Sequence, residues 1–116
     1  MDIYNIWCDL KPGVRDTDFA ADVDGYLSHL VTAGEIAGFR LMRRKLGLGQ
    51  TGSGEFHIMV EVENLAQLDA AFTTVSERAD PVESLHHAVN SKVDRVQFSL
   101  YRDFPDPHRR RGEEKF

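Results

Sequence analysis

Cysteine is almost missing from this chain. Cys8 is the only one among 116 residues, so no disulfide can form within the chain and no cysteine-rich zinc site can be built. That usage fits a reducing compartment, and a cytoplasmic location is expected. An excess of positive charge is also missing. Fourteen Lys and Arg against nineteen Asp and Glu leave a net charge of -5. An acidic chain repels phosphate backbones, which argues against nucleic acid as a partner. The basic triplet Arg109-Arg110-Arg111 is followed by Glu113 and Glu114 and reads as part of a solvated tail. No apolar run approaches the roughly 20 residues that span a bilayer. The N-terminus runs straight into a strand-like segment, with neither a basic leader nor an apolar signal core. Neither a membrane partner nor a targeting segment is expected.

What is present suits one domain. A chain of 116 residues is too short for two ordinary domains. It can bury roughly two-thirds of the surface its unfolded form exposes, so it needs no disulfide or structural metal. Residues 2–10 alternate as a strand, with Tyr4, Ile6, Cys8 and Leu10 on one face and Ile3, Asn5, Trp7 and Asp9 on the other. Lys11-Pro12-Gly13 ends it. A helix follows, capped by Asp16 or Thr17, with an apolar stripe of Phe19, Val23, Tyr26, Leu27, Leu30 and Val31 and a C-cap at Gly34. Residues 36–46 read as a second strand. The stretch 47–54 holds four glycines and reads as a mobile hairpin of the kind that can serve as a lid; it lacks the Gly-Lys-Ser/Thr ending of a phosphate loop.

Residues 55–63 give the clearest strand. Phe56, Ile58, Val60 and Val62 face one way, and Glu55, His57, Met59, Glu61 and Glu63 the other. Asn64 caps a second helix with the stripe Leu65, Leu68, Ala71, Phe72 and Val75, which Pro81 breaks. A short helix over 82–90 turns Val82, Leu85 and Val89 inward. Residues 93–102 form the last strand, with Val96, Phe98 and Leu100 on one face and Arg95, Gln97, Ser99 and Tyr101 on the other. The domain is expected over 1–103, with a polar tail over 104–116.

The order strand, helix, strand, strand, helix, strand predicts an α+β domain. Right-handed crossovers place both helices on one face of a four-stranded antiparallel sheet, the ferredoxin-like βαββαβ arrangement. Phe39 and Leu41 of the second strand join the helix-facing set. The opposite face then shows Trp7, Met42, Met59, Ile3 and Tyr101 among Asn5, Arg40, His57, Glu61, Arg95, Gln97 and Ser99. A face this apolar is sticky in water, and a second copy packed against it would cover it.

The size, element order and half-polar second face resemble the dimeric α+β barrel superfamily. That group includes stress-responsive barrel proteins, antibiotic-biosynthesis-type monooxygenases and heme-degrading monooxygenases. The resemblance spans about residues 2–103, is one of pattern and not of motif, and implies a homodimer with two sheets packed face to face. Fold alone assigns no function. Asn5 on the first strand resembles the heme-degrading members, which use Asn, Trp and His. There the Trp and His come from other elements, whereas Trp7 shares the strand of Asn5. Heme is therefore not the expected cofactor, and no cofactor is implied.

His57 is the candidate base, because histidine titrates near neutral pH. Glu61 lies on the same face and is the carboxylate expected to raise its basicity. Asn5, Trp7, Arg40, Met59 and Tyr101 are the expected substrate-binding residues. Arg40 and Arg95 suit an anionic group, since guanidinium matches carboxylate in a fork. Arg43, Arg44 and Lys45 read as solvated. His86 and His87 point about 100° apart on a helix and poorly suit one metal, so no metal site is expected and they read as a helix edge or dimer rim. Cys8 falls on the helix side and reads as inert core. The ligand is a small apolar or aromatic molecule bound against the sheet, on its polar face or between sheet and helices. A cofactor-independent oxygenase or isomerase is one reading. A non-enzymatic stress-response, ligand-binding or interaction module, with the polar face used only for dimerisation, is the other.

Overall fold

A computed structural model describes residues 1–106. The Arg109-Arg111 cluster and most of the expected tail lie outside them. The chain runs through β1 (Asp2–Leu10), α1 (Asp16–Thr32), β2 (Gly38–Arg43), β3 (Phe56–Val62), α2 (Leu65–Ser76), α3 (Val82–Asn90) and β4 (Val93–Arg102). The strands form one sheet in the order β2-β3-β1-β4 with every neighbouring pair antiparallel. This is the expected ferredoxin-like α+β arrangement, with α3 added before the last strand.

Strand register builds the two faces. On the helix side, Phe39 meets Val60 and Leu41 meets Ile58, while Tyr4 and Ile6 meet the same two β3 residues from β1. Alternation along β3 is perfect, with Phe56, Ile58, Val60 and Val62 all buried. Against them α1 sets Phe19, Val23, Leu27 and Leu30, α2 sets Leu68 and Ala71, and α3 sets Val82. Phe19 meets Phe56 edge to face at 5.2 Å. Cys8 lies in this core, where burial pushes its thiol up to about 11.

Four expectations change in detail. First, α1 starts at Asp16, one residue earlier than a cap at Asp16 would allow and two earlier than a cap at Thr17; Arg15 occupies the cap position without a side-chain bond. The Asp16 carboxylate is engaged elsewhere, accepting from Arg43 Nη1 at 2.9 Å as well as from the Thr17 amide. The Asn64 cap of α2 forms as expected, accepting from the Gln67 amide at 2.9 Å. Second, β2 is shorter than 36–46. Leu46 and Gly47 take φ of +56° and +70° and turn the chain off the sheet.

Third, Phe98 and Leu100 face the helix side yet stay 62% and 51% exposed. They lie on an edge strand that the helix layer covers only in part. Fourth, β4 carries a bulge. Trp7 pairs with Gln97 but Asp9 pairs with Asp94, so β4 uses three residues where β1 uses two. Arg95 absorbs the extra residue at φ +52°. Its guanidinium Nε lies 3.6 Å from Asp9 Oδ2, so Asp9 is its ion-pair partner across the bulge.

The folded part also continues past residue 103. Arg102 donates to buried Asp2 at 2.6 Å and to Asp106 Oδ2 at 2.8 Å, and Asp106 is buried. The first residues of the expected tail are thereby tied to the start of β1 and the end of β4, which pair with each other.

Candidate functional site on the open sheet face

The face turned away from the helices is ordered in three rows by register. Met42, His57, Trp7 and Gln97 form the first row. Arg40, Met59, Asn5 and Ser99 form the second. Gly38, Glu61, Ile3 and Tyr101 form the third. Asn5 and His57 are 52 residues apart in sequence and diagonal neighbours in space. His57 Nε2 lies 2.8 Å from Asn5 Oδ1. Asn5 Nδ2 donates to the Ile3 carbonyl at 3.3 Å, which leaves Oδ1 as the acceptor. The proton of the His57–Asn5 bond therefore sits on Nε2, and in the neutral ring Nδ1 carries the lone pair. Trp7 stacks on His57 with ring centres 4.4 Å apart and planes 11° off parallel.

Burial under this indole lowers the His57 pKa below its ordinary 6.5. The imidazole is thus neutral at neutral pH, with one nitrogen committed to Asn5 and the other basic. Asn5 is itself buried. Across from it, the Ser99 hydroxyl is buried without a hydrogen-bond partner among the described residues.

Glu61 does not join this cluster. It stands four residues along β3, about 13 Å away at the usual strand rise, beside Ile3 and Gly38. No hydrogen bond or ion pair links it to His57 among the described residues. The expectation that it raises the basicity of His57 fails, since desolvation lowers that pKa instead.

A cavity of about 560 Å³ opens on this face, and Asn5, Trp7, His57 and Tyr101 line it. Of the expected binding residues, Arg40 and Met59 lie one row away and are not among its walls. The remaining wall comes from the connection between β2 and β3, including Leu48, Gln50 and Ser53. Arg44, read from sequence as solvated, organises that loop: its Nη2 donates to the Ser53 and Gly54 carbonyls at 2.6 and 3.2 Å. Arg43 is likewise engaged, bridging Asp16 and Glu55 with its guanidinium 4.8 Å from the Phe56 ring centre. No sequence signal marked either arginine, because their partners are backbone carbonyls and carboxylates brought in by folding. His86 and His87 sit on α3, on the other side of the sheet. Among the described residues no three metal-ligating groups come together.

The lowered pKa of His57 has a sign that can be measured. The unfolded chain holds a proton on this histidine at a pH where the folded chain does not. Stability therefore falls as pH drops through 6.5 toward the folded value, and levels off below it. His57→Gln keeps an amide donor and cannot titrate. Urea unfolding at pH 5, 6, 7 and 8 should show a shallower acid-side loss in His57→Gln than in the wild type. Equal slopes would mean that His57 is not desolvated.

A family model matches residues 1–116. The chain belongs to the DUF6614 family. This is described as a family of unknown function. No functionally curated protein matches the DUF6614 chain. Solved structures do. An Arabidopsis thaliana protein superposes with a TM-score of 0.71 at 12% identity, over 91% of this chain and 98% of its own. A dimeric ferredoxin-like protein of unknown function from Thermobifida fusca gives 0.58 at 15%, over 87% and 90%. An antibiotic-biosynthesis-monooxygenase-like protein from Deinococcus radiodurans gives 0.50 at 17%, over 97% and 100%. At these identities the likeness is one of fold. The resemblance read from the DUF6614 sequence holds at that level: its structural neighbours are ferredoxin-like, some are described as dimers, and one is monooxygenase-like. No described helix of the chain is long and apolar enough to cross a membrane.

Proposed function

We propose that this protein is a homodimer whose sheets pack with their open faces together, enclosing a small-molecule site in which His57 acts as base. The observation that carries this is the bond from His57 Nε2–H to Asn5. It holds one tautomer and leaves Nδ1 free to take a proton from a bound molecule. Trp7 supplies a flat apolar wall and Tyr101 a phenol, which suits a small apolar or aromatic substrate. Proton abstraction from such a substrate is the first step of cofactor-independent isomerisation or oxygenation, and the chain supplies the base for it. The dimer is supported by the run of Trp7, Met42, Met59 and Tyr101 on one face and by neighbours described as dimeric.

Native mass spectrometry of the purified protein tests both parts. The expected spectrum is a dimer with added mass from a retained molecule, and a His57→Ala dimer without that mass. A monomer would remove the face-to-face assembly. A bare wild-type dimer would reduce the face to an interface, with the polar residues serving dimerisation alone. A His57→Ala dimer keeping the same added mass would remove His57 from the site.

A further inference from the structure

The wall of the His57 cavity carries a charge opposite to that of the whole chain. The protein has a net charge of -5, yet Arg43, Arg44 and Lys45 line this cavity against a single carboxylate, Glu55. Arg43 is neutralised, since it bridges Asp16 and Glu55 at 2.9 and 3.1 Å. Arg44 is not. It donates to the backbone carbonyls of Ser53 and Gly54, which take up its hydrogens and leave its charge in place. Lys45 has no ion-pair partner among the described residues. The two arginines that suited an anion in the sequence stand elsewhere, for Arg40 is not a wall and Arg95 pairs with Asp9. We propose that the molecule this cavity takes is an aromatic carboxylate whose negative charge is bound by Lys45, which narrows the substrate class of the His57 site and rests on that cavity being a small-molecule site.

Lys45 is anchored at one end of the cavity. The Arg44 amide still donates to the Glu55 carbonyl at 2.8 Å, so the β2–β3 ladder runs to the residue before it. The Leu48 amide then closes a turn onto the Lys45 carbonyl at 2.9 Å. Lys45 follows Met42 by three residues, and Met42 is the strand partner of His57. At the usual strand rise that is about 10 Å. The lysine stem covers part of this distance and one aromatic ring fits in the rest. Trp7 and Met42 offer the ring a flat and a polarizable apolar wall. Leu48 lines the cavity and is 77% exposed, so a bound ring would cover it. A lone ammonium is a point charge that matches one negative charge, which favours a carboxylate over a phosphate dianion.

Trp7 is the only tryptophan, so its emission reports binding at this wall. The probes are phenylacetate and phenylacetamide, which share ring and arm and differ in charge. Phenylacetate should shift the Trp7 emission saturably and bind at least fivefold more tightly than phenylacetamide. Lys45→Gln should remove most of that difference without weakening phenylacetamide, and Lys45→Arg should restore most of it. Lys45 is exposed, so both variants should fold. Sodium chloride raised from about 0.05 to about 0.5 M should weaken phenylacetate alone, because salt screens an accessible ion pair. His57→Gln should keep the preference for phenylacetate, which separates the anion contact from the base. Equal affinity for acid and amide would overturn the carboxylate and leave the His57 site standing. A preference that survives Lys45→Gln would overturn the assignment to Lys45. No saturable change with either probe would remove the carboxylate and the small-molecule site together.

Discussion

Replacing Gly54 with alanine should destabilise the fold by about 3 kcal/mol, the upper part of the range for overpacking a tight site, and should lift the β2–β3 connection off the cavity it walls. A Cβ at residue 54 would lie 2.5 Å from the Cys8 carbonyl oxygen and 2.6 Å from its amide nitrogen. Both atoms belong to the backbone of β1, which is paired on both edges. Neither can retreat without breaking ladder bonds. The demand is for space and not for an unusual backbone angle, since Gly54 is absent from the positive-φ glycines. Gly25 offers the control. It lies inside α1 with nothing within 4 Å of a built Cβ, and alanine there should stabilise by about 0.5–1 kcal/mol. Urea unfolding of the two variants should thus move in opposite directions. A Gly54→Ala protein within 0.5 kcal/mol of wild type would mean that the loop packs differently against β1.

The functional consequence follows from what Gly54 anchors. Its carbonyl and that of Ser53 accept from Arg44, and the next amide, Glu55, donates to Asp9 at 2.9 Å. These bonds hold the glycine-rich connection against the sheet, where it forms one wall of the His57 cavity. The four glycines were readable as a flexible hairpin. Which of them bears a close backbone contact was not, because the contact is with a strand 46 residues earlier.

Periodic features were the ones a sequence could reveal. The alternation of Phe56 through Val62 assigned both faces of β3 without error, since one side of an antiparallel sheet is covered and the other is not. The apolar stripe of α1 and the Asn64 cap are equally local. Tertiary events were out of reach. The bulge at Arg95 shows no glycine or proline, so nothing local announces that β4 changes phase. Exposure of Phe98 and Leu100 depends on how far the helix layer extends, which strand periodicity does not encode. The same division holds for the site. That Asn5, Trp7, His57 and Tyr101 share a face was legible from period two. That Asn5 bonds His57 while Glu61 does not required the register of β1 on β3.

The largest loss of stability is expected from Phe19→Ala, about 3–5 kcal/mol. Phe19 is fully buried, so truncation removes its whole transfer energy and leaves a void that close-packed neighbours refill only in part. It also removes the edge-to-face partner of Phe56. Phe56 in turn lies under the Arg43 guanidinium that ties Asp16 at the start of α1 to Glu55 before β3. One side chain therefore connects the core to the ion pairs that fix where α1 and β3 begin. A domain of this size has roughly 5–15 kcal/mol in total, so the variant should unfold at far lower urea with an unchanged m-value. Phe72→Ala, on a half-exposed ring, should cost clearly less. A loss below about 1.5 kcal/mol for Phe19→Ala would show that the core repacks around the gap. His57 is adjacent to Phe56 but on the far face. In the folded fraction of Phe19→Ala its Nε2–H tautomer, read from long-range nitrogen–proton couplings, should persist. Its loss there would show that the core, and not Asn5 alone, sets the chemistry of the open face.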